Sequence, residues 1–286
     1  LVSNILLQNN YSLKFDGVDD YVSTPAWFSG VNNDYTILVN MRINQSPDEN
    51  DEYILIHRGH FQDKRIVIDA NTNTIYASDR NSQGVPAVNV EYSLDNINVG
   101  QWYSVAFTAN TDSLKLFIDG IMVDGKQRTF GNSDWSSAHM FSAIGGGGGY
   151  GGDPDVNIGS ISIWDSELTK IELRSYRLSD LAGNENNLIS YWNFNEGSGS
   201  VVTDIVSANN GTINGATWST DLYQDHSLSF DGSNDWVDAP PINLTNQPFT
   251  IETWVKIPSA SHAGRTNIID SYEINSTNAN KWGIYI

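Results

Sequence analysis

A fourteen-residue stretch occurs twice in this chain, and any fold it adopts must accommodate both copies. Residues 12–25 and 227–240 are identical at eight positions: Ser12/Ser227, Leu13/Leu228, Phe15/Phe230, Asp16/Asp231, Gly17/Gly232, Asp20/Asp235, Val22/Val237 and Pro25/Pro240. The likeness continues from DYTILVNMRI (34–43) to PFTIETWVKI (248–257), and more weakly from EYILI (52–56) to TNIID (266–270), at nearly constant offset. A similarity that holds its offset over so long a stretch is the mark of a duplicated module. Two modules in succession are expected, over residues 1–183 and 184–286, with AGNENN (182–187) as the linker. KWGIYI (281–286) aligns only with the region near Lys64 to Asp69. The second module is therefore expected to be incomplete, needing about another hundred residues to match the first. The first copy has no upstream counterpart of LISYWNFNEGSGS (188–200), which points to further sequence before it.

The runs between the repeats are short and β-like: YTILVNMRI, YILIHR, RIVIDA, TIYAS, WYSVAFTA, LKLFIDG, ISIWD and LISYWNF, separated by Asn, Asp and Gly. Alternation at period two with turns this frequent is the pattern of an all-β sandwich. Asp119-Gly120 between two such runs predicts a hairpin, because glycine accepts the positive φ that tight hairpin turns require. One helix is expected within SELTKIELRSYRLSDLA (166–182), where Leu168, Ile171, Leu173 and Tyr176 approximate one apolar face.

Within the repeat, Leu13 and Phe15 alternate with Ser12 and Lys14, so both can face a core while Asp16-Gly17 turns the chain and Val22 starts the return strand. Asp16, Asp19 and Asp20 lie within five residues. Their mutual repulsion has two remedies. Backbone N–H groups can bond the carboxylates in an Asx-type turn. A hard cation can also bind them, and calcium favours such oxygen ligands. The second copy keeps Asp231 and Asp235 and replaces the middle acid by Asn234, which retains an oxygen, so both readings stay open there.

Charge narrows the partners. The 34 acidic and 15 basic residues give a net charge of −19, with no basic cluster, and this would repel a phosphate backbone. Nucleic acid is not an expected partner. Cysteine is absent, so disulfides and thiol catalysis are excluded. No apolar run approaches the length of a membrane-spanning helix, so membrane insertion is not expected.

SLKFDGVDDYV (12–22), YTILVNMRI, GQWYSVAFTANTDSLKLFIDG (100–120), ISIWDSELTKIEL (161–173) and YWNFNEGSGSVVTDIVSANNGTINGATW (191–218), in this order and spacing, resemble the laminin-G-like, concanavalin A-like jelly-roll modules, with pentraxins as more distant relatives. The resemblance implies an antiparallel two-sheet jelly-roll sandwich, here one complete copy plus the N-terminal part of a second. It also implies a sugar- or protein-binding accessory role, often with calcium at the rim. Such modules usually carry two acids just before the strand that here reads ISIW, where this chain has Gly159-Ser160.

A sugar site needs aromatic faces beside hydrogen-bonding groups. Trp27, Trp135 and Tyr150 lie in polar, glycine- or serine-rich stretches and are the ligand-stacking candidates, whereas Trp102, Trp164 and Trp192 sit in β patterns and are expected in the core. IGGGGGYGGDPD (144–155) lacks the Gly-Lys-Ser/Thr ending of a phosphate loop and reads as a rim loop, with Asp153 and Asp155 as further cation candidates. His57 and His60 have no helical context that would make them a zinc pair. No E-x-D-x-x-E strand and no G-x-S-x-G elbow is present. The expected function is a non-catalytic carbohydrate-binding or adhesion module of a larger secreted, cell-surface or virion protein. The alternatives are a structural spacer or protein-interaction module in a phage appendage or surface filament, and an accessory domain of a polysaccharide-degrading enzyme.

Overall fold

The computed structural model describes residues 11–25, 34–47, 52–58, 64–79, 88–128, 142–146, 152–177, 179–222, 237, 267–270 and 283–285. The chain divides into two compact units, Leu1–Ser227 and Leu228–Ile286. The first holds strands β1 (Ser12–Asp16), β2 (Tyr21–Thr24), β3 (Tyr35–Ile43), β4 (Glu52–Arg58), β5 (Lys64–Asp69), β6 (Thr74–Asp79), β7 (Val88–Ser93), β8 (Trp102–Ala109), β9 (Ser113–Ile118) and β10 (Ile121–Gln127). It continues with β11 (Ser142–Ile144), β12 (Asp155–Trp164), helix α1 (Lys170–Tyr176), β13 (Leu188–Trp192), β14 (Val201–Val202), β15 (Gly211–Asn214) and β16 (Thr217–Ser219). In the second unit β17 (Asn267–Asp270) and β18 (Gly283–Tyr285) pair antiparallel, as β4 and β5 do at the aligned positions of the first.

Two antiparallel sheets form a sandwich in the first unit. One runs β10-β9-β8-β3-β12-β1-β16, with β13 also paired to β12, and the other runs β14-β15-β2-β11-β4-β5-β6-β7. The alternation in the sequence sets what lies between them. Leu13, Phe15 and Val22 are fully buried, together with Ile37, Val39, Met41, Ile66, Ile68, Val105, Phe107, Ile158 and Ile161. Asp119 and Gly120 both take positive φ, 50° and 71°, and close the β9–β10 hairpin as expected.

β3 is buried on its outer face as well, because α1 covers it. Leu38, Phe117, Trp164, Leu173 and Tyr191 form a second cluster there, and Tyr176 stacks on Trp164 with centroids 4.6 Å apart. Thr169 and Glu172 form a reciprocal capping box that starts the helix. The short helix expected within 166–182 runs over Lys170–Tyr176, but Ile171 stands 76% exposed rather than on the apolar face. Trp164 and Trp192 are fully buried as expected. Trp102 is only half-buried, and its indole N–H donates to Asp221 Oδ1 at 3.1 Å.

The long strand β12 pairs with β3 along one side and is shared on the other, pairing through Asp155–Ile158 with β1 and through Ile161–Trp164 with β13. A bulge against β3 falls between Ile158 and Ser160. Gly159 fits that bulge because the Trp102 ring lies 3.3 Å from where a Cβ would stand, and Ser160 Oγ accepts a hydrogen bond from buried Asn40 at 2.9 Å. This is the local reason for Gly-Ser at these two positions.

The boundary expected at 183/184 moves. Residues 188–219 supply β13, β15 and β16, which pair with β12, β2 and β1 of the first sandwich, and the division between units falls after Ser227. The physical reason is that β1 and β2 would otherwise be open edges above buried Leu13 and Val22. The segment that precedes the second repeat in sequence therefore completes the first unit in space.

Candidate functional site

The Asp16–Asp20 turn starts where β1 ends. Gly17 has φ of 82°, and a Cβ there would lie 3.2 Å from that of Asp155, so the turn requires glycine. Asp16 Oδ1 accepts the Val18 N–H at 3.0 Å and Asp20 Oδ2 accepts the Asp16 N–H at 2.9 Å, which makes the turn the Asx-type structure of the first reading. Asp20 is buried, while Asp16 and Asp19 are exposed. Burial, first, lifts the Asp20 carboxyl above its ordinary value of 3.8; the Asp16 N–H opposes this, and the charges of Asp16, Asp19 and Asp153 add to it.

One carboxylate oxygen from each of Asp16, Asp19 and Asp20 lies within 4.8 Å of the others. Ligands on a calcium ion, at about 2.3–2.6 Å, are separated by at most about 5 Å, so this spacing fits calcium on one side. The remaining positions would fall to carbonyls and water. Among the described residues this is the one acidic or histidine group with metal-compatible spacing.

Gly145 and Gly146, at the start of the glycine-rich stretch, lie against the same end of the sandwich. A Cβ on Gly145 would meet the Phe15 ring at 2.0 Å and one on Gly146 would meet Asp153 Oδ1 at 2.1 Å, so the run of glycines that reads as a loose rim loop is, at these two positions, a close-packing device. Residues 153–156, the ends of β1, β3 and β5 and the start of β4 together enclose a cleft of about 90 Å³. Asp16, Asp153, Asp155, Gln45, Ser46 and the half-buried Tyr53 give it its polar and aromatic lining. Asp155 stands opposite Asp16 in the β1–β12 ladder and accepts from Asn44 Nδ2 at 2.8 Å.

The structure thus brings together Asp16, Asp153 and Asp155, which the sequence singled out separately, and adds Tyr53, Gln45 and Ser46, which it did not. Tyr53 opens an ordinary β run, and only its pairing with Gly152 places it at the rim. Trp27, Trp135, Tyr150, Asp231, Asn234 and Asp235 lie outside the described residues. No described helix is long and apolar enough to cross a membrane.

No curated protein matches the chain. Among solved structures, a Bacteroides ovatus protein described provisionally as carbohydrate-binding aligns at TM-score 0.60 and 18% identity, covering 76% of this chain and 61% of its own. The chain therefore spans about six tenths of that protein's length. A native heptameric SAP-like pentraxin from Limulus polyphemus aligns at TM-score 0.46 and 14% identity over 72% of this chain and 96% of the pentraxin. The binding domain of botulinum neurotoxin serotype D aligns at TM-score 0.48 and 12% identity over 61% and 44%. At these identities the Bacteroides alignment shows the fold. The family model Laminin_G_3, of the concanavalin A-like lectin/glucanases superfamily, matches residues 16–174, more than half of the chain and from the acidic turn through most of α1, and on that match the chain belongs to this family.

Proposed function

We propose that this chain is a non-catalytic carbohydrate-binding module of a larger secreted or surface-exposed protein, taking its ligand at the rim cleft beside the Asp16–Asp20 turn. The observation that carries the reading is the convergence of Asp16, Asp153, Asp155, Gln45 and Ser46 with the Tyr53 ring in one cleft. Carboxylates and amides accept and donate to sugar hydroxyls while a ring takes the C–H face. The description of the Bacteroides relative as carbohydrate-binding agrees with it. At about 90 Å³ the cleft is well below the roughly 300 Å³ that encloses a drug-sized ligand, so it holds one terminal or protruding sugar unit rather than an engulfed chain. Weak single-site binding of that kind gains strength when modules are repeated. Calcium on Asp16, Asp19 and Asp20 stiffens the cleft wall and performs no reaction. Trp27, Trp135 and Tyr150 remain the proposed outer stacking surfaces.

The test is a glycan array followed by titration calorimetry on the parent chain, Tyr53→Ala and Asp155→Asn. Binding that falls at least about tenfold in both variants, at unchanged near-ultraviolet dichroism, supports the reading. Binding retained by both variants moves the site elsewhere. The repeat of residues 12–25 at 227–240 favours a second reading, a structural spacer. Regular self-assembly with no binding across the array would establish that one instead.

A further inference from the structure

Residues 188–221 lie across the open edges of both sheets. Trp218 and Thr217 pair with Leu13 and Lys14 of β1, Ile213 pairs with Val22 of β2, and Trp192 pairs with Ile161 of β12. The segment delivers three fully buried apolar side chains, Trp192, Phe194 and Val202. It ends in Asp221, which accepts from Trp102 Nε1 at 3.1 Å and pairs with Arg42.

Its connection to the rest of the sandwich is short, and the Asn187 carbonyl accepts the Asp165 N–H at 2.8 Å. The N–H groups of Ala182 and Gly183 both bond the Glu185 carboxylate, and the Leu188 N–H bonds the Glu185 carbonyl. Asn187, immediately before β13, has φ of 64°. It is one of the four non-glycine residues with positive φ among the described residues. Strain in a short hinge ahead of an edge strand favours exchange of that strand between molecules, because straightening the hinge releases the strain while every docking contact is re-formed on the partner. The acceptor sequence is itself written twice in the chain, on either side of the segment.

We propose that residues 188–221 are an exchangeable closing segment and that a second copy of this chain takes them up, giving a dimer in which each sandwich is completed by the other molecule. The absence of cysteine permits a clean test. Lys14 and Thr217 are both exposed and directly paired, at a Cα separation that antiparallel pairing makes compatible with a disulfide. Chains carrying Lys14→Cys and chains carrying Thr217→Cys are refolded together at high concentration and oxidised, and the double variant is oxidised alone at low concentration. The expected result is a covalent dimer linked 14 to 217 in the mixture and an internal link in the double variant. Asn187→Gly, which removes the hinge strain, should lower the dimer yield several-fold. An internal link in the double variant without any 14–217 dimer in the mixture overturns the proposal. Failure of the double variant to close overturns it as well, since the pairing itself would be absent.

Discussion

Asp79, at the end of β6, is fully buried and its Oδ2 meets two cations: Lys64 Nζ at 3.3 Å and Arg128 Nη2 at 2.5 Å, on side chains 1% and 2% exposed. Lys64 Nζ also stands 3.5 Å from the centroid of the Tyr35 ring. The tyrosine hydroxyl is held well above its usual pKa, by burial first and then by the Asp79 charge. At an effective dielectric of about 20, the Coulomb attraction is about 5 kcal/mol at the lysine contact and about 7 kcal/mol at the arginine contact. Desolvation of three charges offsets most of that, so the intact network contributes little net stability. Removing the shared anion is different, because two buried cations then keep their desolvation cost and lose its compensation. Asp79→Asn preserves the shape of the side chain and should cost about 3–5 kcal/mol. For a unit of this size that lowers the melting temperature by about 6–20 °C. The assay is thermal unfolding followed by tryptophan fluorescence, which reports the buried Trp164 and Trp192 of the first unit. A melting temperature within about 1 °C of the parent chain would refute the premise that this carboxylate neutralises both cations.

Three further perturbations test other parts of the sandwich. Gly145→Ala places a Cβ 2.0 Å from the Phe15 ring at a φ of 77°, so overpacking and backbone strain together should cost about 2–4 kcal/mol in urea unfolding. Trp192→Ala empties a fully buried site in the closing segment, and should cost about 3–5 kcal/mol with a loss of native near-ultraviolet dichroism on mild heating. The Asp20 carboxyl has its folded pKa raised above 3.8, so the fold disfavours its ionised form. Without divalent ions, that penalty is complete above the raised pKa and is relieved as pH falls through it toward 3.8. Asp20→Asn should therefore melt higher than the parent chain at pH 7 in chelator, with the gap closing on acidification. In calcium the order should reverse; melting curves insensitive to both calcium and chelator would count against the cation.

The sandwich was legible because its cause is local. Leu13, Phe15 and Val22 alternate with polar neighbours, and Asp119-Gly120 carries the conformational preference of its own turn, so the sequence specifies inward faces and hairpins directly. The closing segment was not legible for the opposite reason. Residues 188–219 adjoin the second repeat in sequence, whereas pairing with β1, some 200 positions earlier, is non-local and has no compositional sign. The helix shows the limit of periodicity, since Ile171 fits the apolar spacing yet stands exposed, and Leu173 alone of the helix is buried. The site was half visible. Asp16, Asp153 and Asp155 stand out as acids beside glycine turns, but Tyr53 looks like any strand tyrosine until β4 and residue 152 are brought side by side.

The closing segment and the acidic turn are one device. The turn between β15 and β16 brings Gly215 so close to Asp20 that a Cβ there would lie 1.9 Å from Oδ1, and this approach is part of what buries the carboxyl. Withdrawing the segment would expose Asp20, return its carboxyl toward 3.8 and slacken the wall that Asp16 gives to the cleft. A ligand that requires the ordered turn therefore opposes the opened state through which exchange must pass, by about 2.7 kcal/mol when present at roughly one hundred times its Kd. Calcium or glycan at that level should slow conversion of folded chains to the 14–217 crosslinked dimer about a hundredfold, and the metal-free chain should exchange more readily at neutral pH, where the buried Asp20 is ionised and its penalty complete, than at acidic pH. Equal rates of dimer formation with and without a ligand shown to bind would mean that the turn keeps its shape when the segment leaves, and would separate the two features that Gly215 joins.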